Sequence, residues 1–223
     1  MRRIIIFCLV TQTVGQWTSF SLSGLTPGDK KSEKLYRYGG MTVAHHYTIG
    51  IPKDRRIAIG TTMNKNFSNS GVIPIIHGEI KVSWNLALRG RMASYGANEG
   101  VVQLYGWGIS LTPGKEDAPL KWTVLFDTGR LNAYNQLKLM SLQFMGRSSI
   151  DWRGIPIQMG LGVNMTKADP FGMTGNASPS RRKVQTNFLN VGTSLQVFGL
   201  NIIPQLWIGA NYNQISMSIV DNF

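Results

Sequence analysis

Gly78 to Met92 reads GEIKVSWNLALRGRM, and its period decides the fold. Ile80, Val82, Trp84, Leu86 and Leu88 share one face of an extended chain, while Glu79, Lys81, Ser83, Asn85, Arg89 and Arg91 share the other. A helix mixes these two sets, so the period of two predicts a strand. At about 3.3 Å per residue, a dozen residues reach roughly 40 Å. Tilted by about 45°, such a strand crosses a bilayer core of about 30 Å. The same alternation recurs along the chain. The expected fold is all-β: an antiparallel, up-and-down transmembrane β-barrel, apolar outside and polar inside.

Composition agrees with that reading. The chain has 223 residues, enough for one barrel. Charged residues make up only 15%, glycines number 25, and mean hydropathy is close to zero because the two faces average out. Met1 to Gly15, MRRIIIFCLVTQTVG, has two arginines, an apolar run and small polar residues, the layout of a secretory signal peptide cleaved before Gln16. Residues 16–36 read as a lead-in and residues 37–223 as the barrel. Cys8, the sole cysteine, leaves with the leader, which excludes disulfides, thiolate metal sites and cysteine nucleophiles from the mature chain.

Net charge is +12, or +10 without Arg2 and Arg3. No basic helix or nucleic-acid motif accompanies it, so nucleic acid is not an expected partner and anionic lipid headgroups are.

Several further runs alternate. Met41 to Ile51 reads as a first strand, returning through Ile57, Ile59 and Met63. Tyr105, Trp107, Ile109 and Leu111 face outward opposite Gly106, Gly108 and Ser110. Leu120, Trp122, Val124 and Phe126 oppose Lys121, Thr123 and Asp127. Residues 135–146 are strand-like without clear phase. Ile157 to Met165 alternates against Gln158, Gly160, Gly162 and Asn164. Residues 167–183 read as the longest loop. Leu206, Ile208 and Tyr212 precede a turn at Asn213-Gln214 and a last strand. Pro74, Pro119, Pro156 and Pro204, spaced by 45, 37 and 48 residues, read as the feet of four hairpins. With the 41–64 hairpin these give about ten strands, eight or twelve being the alternatives.

The C-terminal run ISMSIVDNF carries a resemblance. Ile215, Met217, Ile219 and Phe223 match the alternating, aromatic-terminated last strand of bacterial outer-membrane β-barrel proteins; Asp221 departs from it. The chain resembles that class over residues 16–223, without a narrower family. The resemblance implies location in the bacterial outer membrane, outer-membrane lipids and the barrel-assembly machinery as partners, and Phe223 as an assembly signal.

The candidate functional residues are the expected lumen charges: Glu79, Lys81, Arg89, Arg91, Lys121 and Asp127. Two readings stand. Ion-paired side chains plug a small barrel, or uncompensated arginines line a narrow channel preferring small anions. Three histidines are expected apart, with His45 on the lipid face, His46 in the lumen and His77 near a rim, so no metal site, cofactor or catalytic residue is assigned. Trp84, Trp107, Trp122, Trp152, Trp207 and Tyr212 are expected to supply interfacial girdles. The function read from this is a structural or narrow-channel barrel rather than an enzyme. A lipid-active membrane enzyme and a soluble secreted barrel holding an apolar ligand are the alternatives.

Overall fold

The computed structural model describes residues 29–47, 51, 54–67, 72–97, 100–134, 136–170 and 181–223. The signal-peptide reading lies outside these residues. The strands are β1 (Ile57–Asn66), β2 (Val72–Lys81), β3 (Leu86–Ala97), β4 (Gly100–Leu111), β5 (Trp122–Ala133), β6 (Leu137–Trp152), β7 (Ile155–Pro170), β8 (Arg182–Thr193), β9 (Leu195–Val197), β10 (Leu200–Gly209) and β11 (Tyr212–Asn222). Each pairs antiparallel with its neighbour, and β11 pairs with β1 from Ala58–Asn222 to Asn66–Gln214, closing the sheet. The short β9 continues β8 along β10, so ten strands make up the wall.

The outer face is apolar. Ile57, Ile80, Leu88, Trp107, Phe144 and Leu161 are among the large side chains exposed there, against a lumen of Thr62, Asn64, Gln143, Asn164 and Ser218. Closure removes the unpaired edges that lipid cannot satisfy. The fold is an antiparallel transmembrane-type β-barrel, as the alternation predicts.

Two strand assignments are corrected, and they offset each other in the count. Gly78 to Met92 is not one strand but the β2–β3 hairpin, turning at 82–85, where the Val82 and Ser83 amides donate to the Leu86 carbonyl at 2.9 and 3.1 Å. Among the described residues of Met41 to Ile51 none lies in a strand; Met41–Val43 ends a helix, α1 (Lys30–Val43). Asp29 caps it, accepting from the Ser32 amide at 2.6 Å, with Glu33 in the first turn. Leu35, Tyr36, Tyr38, Gly39, Gly40 and Met41 are all buried, because α1 runs inside the barrel against β4–β8 and β11. From Tyr38 to Val43 the helix is buried on all sides and shows no polar stripe, while its first turns, with Lys30, Lys31, Glu33 and Lys34 exposed, fall in the polar lead-in, so its period is lost. The turn expected at Asn213-Gln214 lies at Ala210-Asn211.

The prolines differ in role. Pro156 stands at the start of β7, as expected of a hairpin foot, whereas Pro119 lies in the β4–β5 connection, bridging Gly114 ahead of Trp122. Pro204 sits inside β10, where partner β8 begins at Gln205–Gly192 and partner β9 ends at Ile202–Leu195. Its missing N–H falls in that gap. Pro74 lies in β2 beyond the β2–β3 pairing, which starts at Ile76.

Candidate functional site

The lumen polar groups are arranged in cross-strand rows. One row runs Arg89, Gly108, Asp127, Gln143, Asn164, Thr186 across β3 to β8. Asp127 and the two arginines of β3 therefore stand two strands apart, with glycine between. A Cβ at Gly108 would lie 2.1 Å from Asp127 Oδ1, and one at Gly106 would lie 2.8 Å from Arg91 Nε. The absence of side chains at Gly106 and Gly108 lets the guanidinium groups reach across β4 there.

Asp127 is the hub. Arg89 Nη2 donates to Oδ2 at 3.0 Å; Arg91 donates to Oδ1 from Nη1 at 2.9 Å and Nη2 at 3.0 Å. His46 Nδ1 stands 3.5 Å from Oδ2. All four side chains are buried. The arginines also donate to backbone: Arg89 to the Ile109 carbonyl at 3.1 Å, Arg91 to the Trp107 carbonyl at 3.0 Å and to the His45 carbonyl at 2.5 Å.

The last contact answers where the surplus positive charge goes. The final turn of α1 and residues 44–47 present carbonyls to the lumen side chains; Gly40 O already accepts the Ala44 amide at 3.2 Å, whereas those of Ala44, His45 and Tyr47 lie past the helix. Lumen side chains take them: Asn164 Nδ2 donates to Gly40 O at 3.4 Å, Gln143 Nε2 to Ala44 O at 3.2 Å, Arg91 to His45 O, and Arg147 Nη1 to Tyr47 O at 3.4 Å. Cations at a helix C-terminus also meet the negative end of its dipole. Arg91 and Arg147 are thus matched in part to the carbonyls at the end of the helix.

Glu79 pairs in register with Arg89, and both are buried on the lumen side. With Lys81, Tyr47 and Arg147 they line a cavity of about 130 Å³ where the inner segment ends. Lys81 is half-buried at its mouth, and Lys121 is exposed just before β5. The sequence reading missed Arg147, Gln143 and Asn164; the first two lie on β6, the strand whose phase it left open.

The histidines stand closer than expected. His45 lies within the lumen, not on the lipid face, with its ring 6.4 Å from His46 and 5.2 Å from Trp207. His77 stacks beside Tyr47 at 4.3 Å. Trp207 and Tyr212 are buried in the core cluster with Tyr36, Met41 and Leu139, so neither belongs to a girdle. Trp84, Trp107, Trp122 and Trp152 are exposed on the outside.

The closing seam is stitched by lumen side chains. Ser218 Oγ and Thr62 Oγ1 are 2.7 Å apart, Thr62 Oγ1 lies 2.8 Å from His77 Nε2, and Gln214 Nε2 donates to Asn64 Oδ1 at 2.8 Å. Phe223 follows β11 with its ring exposed; its amide donates to the Ile57 carbonyl at 2.8 Å.

No protein-family model matches the chain, and no curated protein sequence matches it. Solved structures similar to it are barrels. A KdgM porin in complex with disordered oligogalacturonate shares 6% identity at a TM-score of 0.42, covering 74% of this chain and 99% of that one. The translocator domain of autotransporter NalP from Neisseria meningitidis shares 10% at 0.42, covering 82% and 92%. Ail, the attachment invasion locus protein of Yersinia pestis, shares 12% at 0.28, covering 75% and 95%. The barrel fold rests on the closed, ten-stranded antiparallel sheet itself rather than on these likenesses.

Proposed function

We propose that the chain is a small bacterial outer-membrane barrel kept shut by its own N-terminal helix, with a structural rather than a conducting role. In this reading residues 1–15 are removed on export, the assembly machinery reads Phe223, and the exposed apolar face meets outer-membrane lipid. The observation that carries it is the ladder of lumen side chains from Asn164 to Arg147 holding the carbonyls of Gly40 to Tyr47. A segment held at each step fills the space an ion would need.

Planar-bilayer recordings test this. The wild type is expected to conduct no steady current. An Arg91→Gln, Gln143→Ala variant loses two rungs of the ladder and is expected to show intermittent openings that favour anions, since Arg89 and Arg147 remain. A steady wild-type conductance that ignores both substitutions overturns the plug.

A further inference from the structure

The outer surface of β5 to β8, at the end opposite the C-terminus, carries more positive charge than Asp169, the acid of the wall there, offsets. One outward row runs Tyr105, Arg130, Met140, Lys167, Lys183. Two residues further out, Lys138 stands opposite Asp169, whose carboxylate accepts from Arg181 Nε at 2.7 Å. Lys167 and Lys183 are direct cross-strand partners, an arrangement of like charges that destabilises a sheet. Among the described residues, Arg130, Lys138, Lys167 and Lys183 form no ion pair within 4.0 Å. The 171–180 segment between β7 and β8 contains no acidic residue that could supply one.

The rows on the other side of this patch are apolar from β4 to β7 except for Thr128, and polar on β8, where Gln185 and Asn187 follow Lys183. Trp107, Thr128, Leu142 and Met165 lie next along the strands, then Ile109, Phe126, Phe144 and Val163. The cations therefore stand at the border of the apolar band, the level at which a bilayer places its headgroups. Neighbouring strands are about 4.8 Å apart, so one phosphate between Lys167 and Lys183 reaches both ammonium groups. Arg130, about two strands away, is placed for a second.

We propose that this patch binds the phosphate groups of membrane lipids in the leaflet at that end of the barrel. The lipid supplies the anion that relieves the Lys167–Lys183 repulsion, and its chains lie along the apolar rows beneath. The inference rests on the membrane placement proposed above, but not on whether the lumen conducts. Solubility without detergent would sink the membrane placement, whereas unchanged lipid binding in the variants below would sink this site alone.

The experiment uses the full chain in micelles of a zwitterionic detergent doped with phosphatidylglycerol, with bound lipid counted by native mass spectrometry. The wild type is expected to retain the lipid, and Lys167→Gln, Lys183→Gln to weaken retention about tenfold. Arg55→Gln, Arg56→Gln removes the same charge at the other end and is expected to leave retention unchanged. In undoped micelles the Lys167→Gln, Lys183→Gln variant should unfold no more easily than wild type; in doped micelles wild type should be the more stable. The gel shift between boiled and unboiled samples confirms that each variant is folded. Equal retention by both double variants and wild type, equal loss in both, or displacement of the lipid by millimolar inorganic phosphate overturns a lipid site.

Discussion

Asp127 is the residue on which the lumen's charge balance turns. Its two oxygens receive three donor contacts from Arg89 and Arg91, and His46 stands beside them, all buried. The value of such a cluster lies less in its attraction than in the cost of breaking it. Removing the carboxylate leaves two guanidinium groups buried with carbonyl partners only, and breaking a buried pair typically costs about 3–5 kcal/mol. Asp127→Asn keeps the shape and removes the charge. We expect it to lower unfolding free energy in micelles by about 3 kcal/mol, measured by urea titration. A loss below about 1 kcal/mol would show that the helix carbonyls alone hold the arginines, the range of a single neutral hydrogen bond. Both arginines and the aspartate were legible in the sequence because their parity opposes an apolar stripe. That they meet was not, since it depends on Gly106 and Gly108 vacating the strand between them.

At the scale of elements, α1 and the wall are fitted to one another. Gly40 packs so closely on β7 that a Cβ there would lie 1.8 Å from Thr166 Oγ1. Gly40→Ala should therefore displace the helix, and Thr166→Ala should restore it in the double variant. The expected readout is a lowered midpoint of thermal unfolding for the single variant and recovery of at least half that loss in the double; additive losses would place the helix elsewhere. The fit also explains why the sequence showed some elements and hid others. Strands with lipid on one side and polar lumen on the other alternate visibly, as in β4 and β7. On β6 the lumen face carries Leu137, Leu139 and Met145 because these pack on the inner helix and core, so both faces are apolar and the phase disappears. The 78–92 stretch kept its facing although it is two strands. Its pairs, such as Glu79–Arg89 and His77–Arg91, join residues of equal parity, so a hairpin there preserves the side each residue faces. The helix was hidden for another reason: from Tyr38 to Val43 burial on every side leaves no polar stripe, and the exposed charges of its first turns fall in the polar lead-in.

The whole molecule has two unlike ends. With ten strands, β1 begins and β11 finishes at one end, marked by Ile57 and Phe223. The inner helix starts at the other. Its first turns lie by Arg182 to Val184, where Arg37 donates to Gln185 O, and residues 44–47 end beside Arg91 and Arg147 toward the C-terminal end. Residues 29–47 thus run along the lumen ahead of the wall strands, and Lys31 stands at the same end as Pro170, Arg181 and the basic outer patch. Single cysteines introduced in a Cys8→Ser background test this polarity. Lys31→Cys and Arg181→Cys, both at exposed positions, should react with a membrane-impermeant thiol reagent from one side of the membrane. Lys115→Cys, exposed in the β4–β5 connection, should react only from the other. If the barrel takes the usual orientation of its class, the first pair labels on intact cells and Lys115→Cys only after the outer membrane is opened. Labelling of Lys31→Cys together with Lys115→Cys, and apart from Arg181→Cys, would mean that the helix enters from the C-terminal end. The ladder of carbonyl contacts that keeps the lumen shut would then run the wrong way, and the plug could not be held as described.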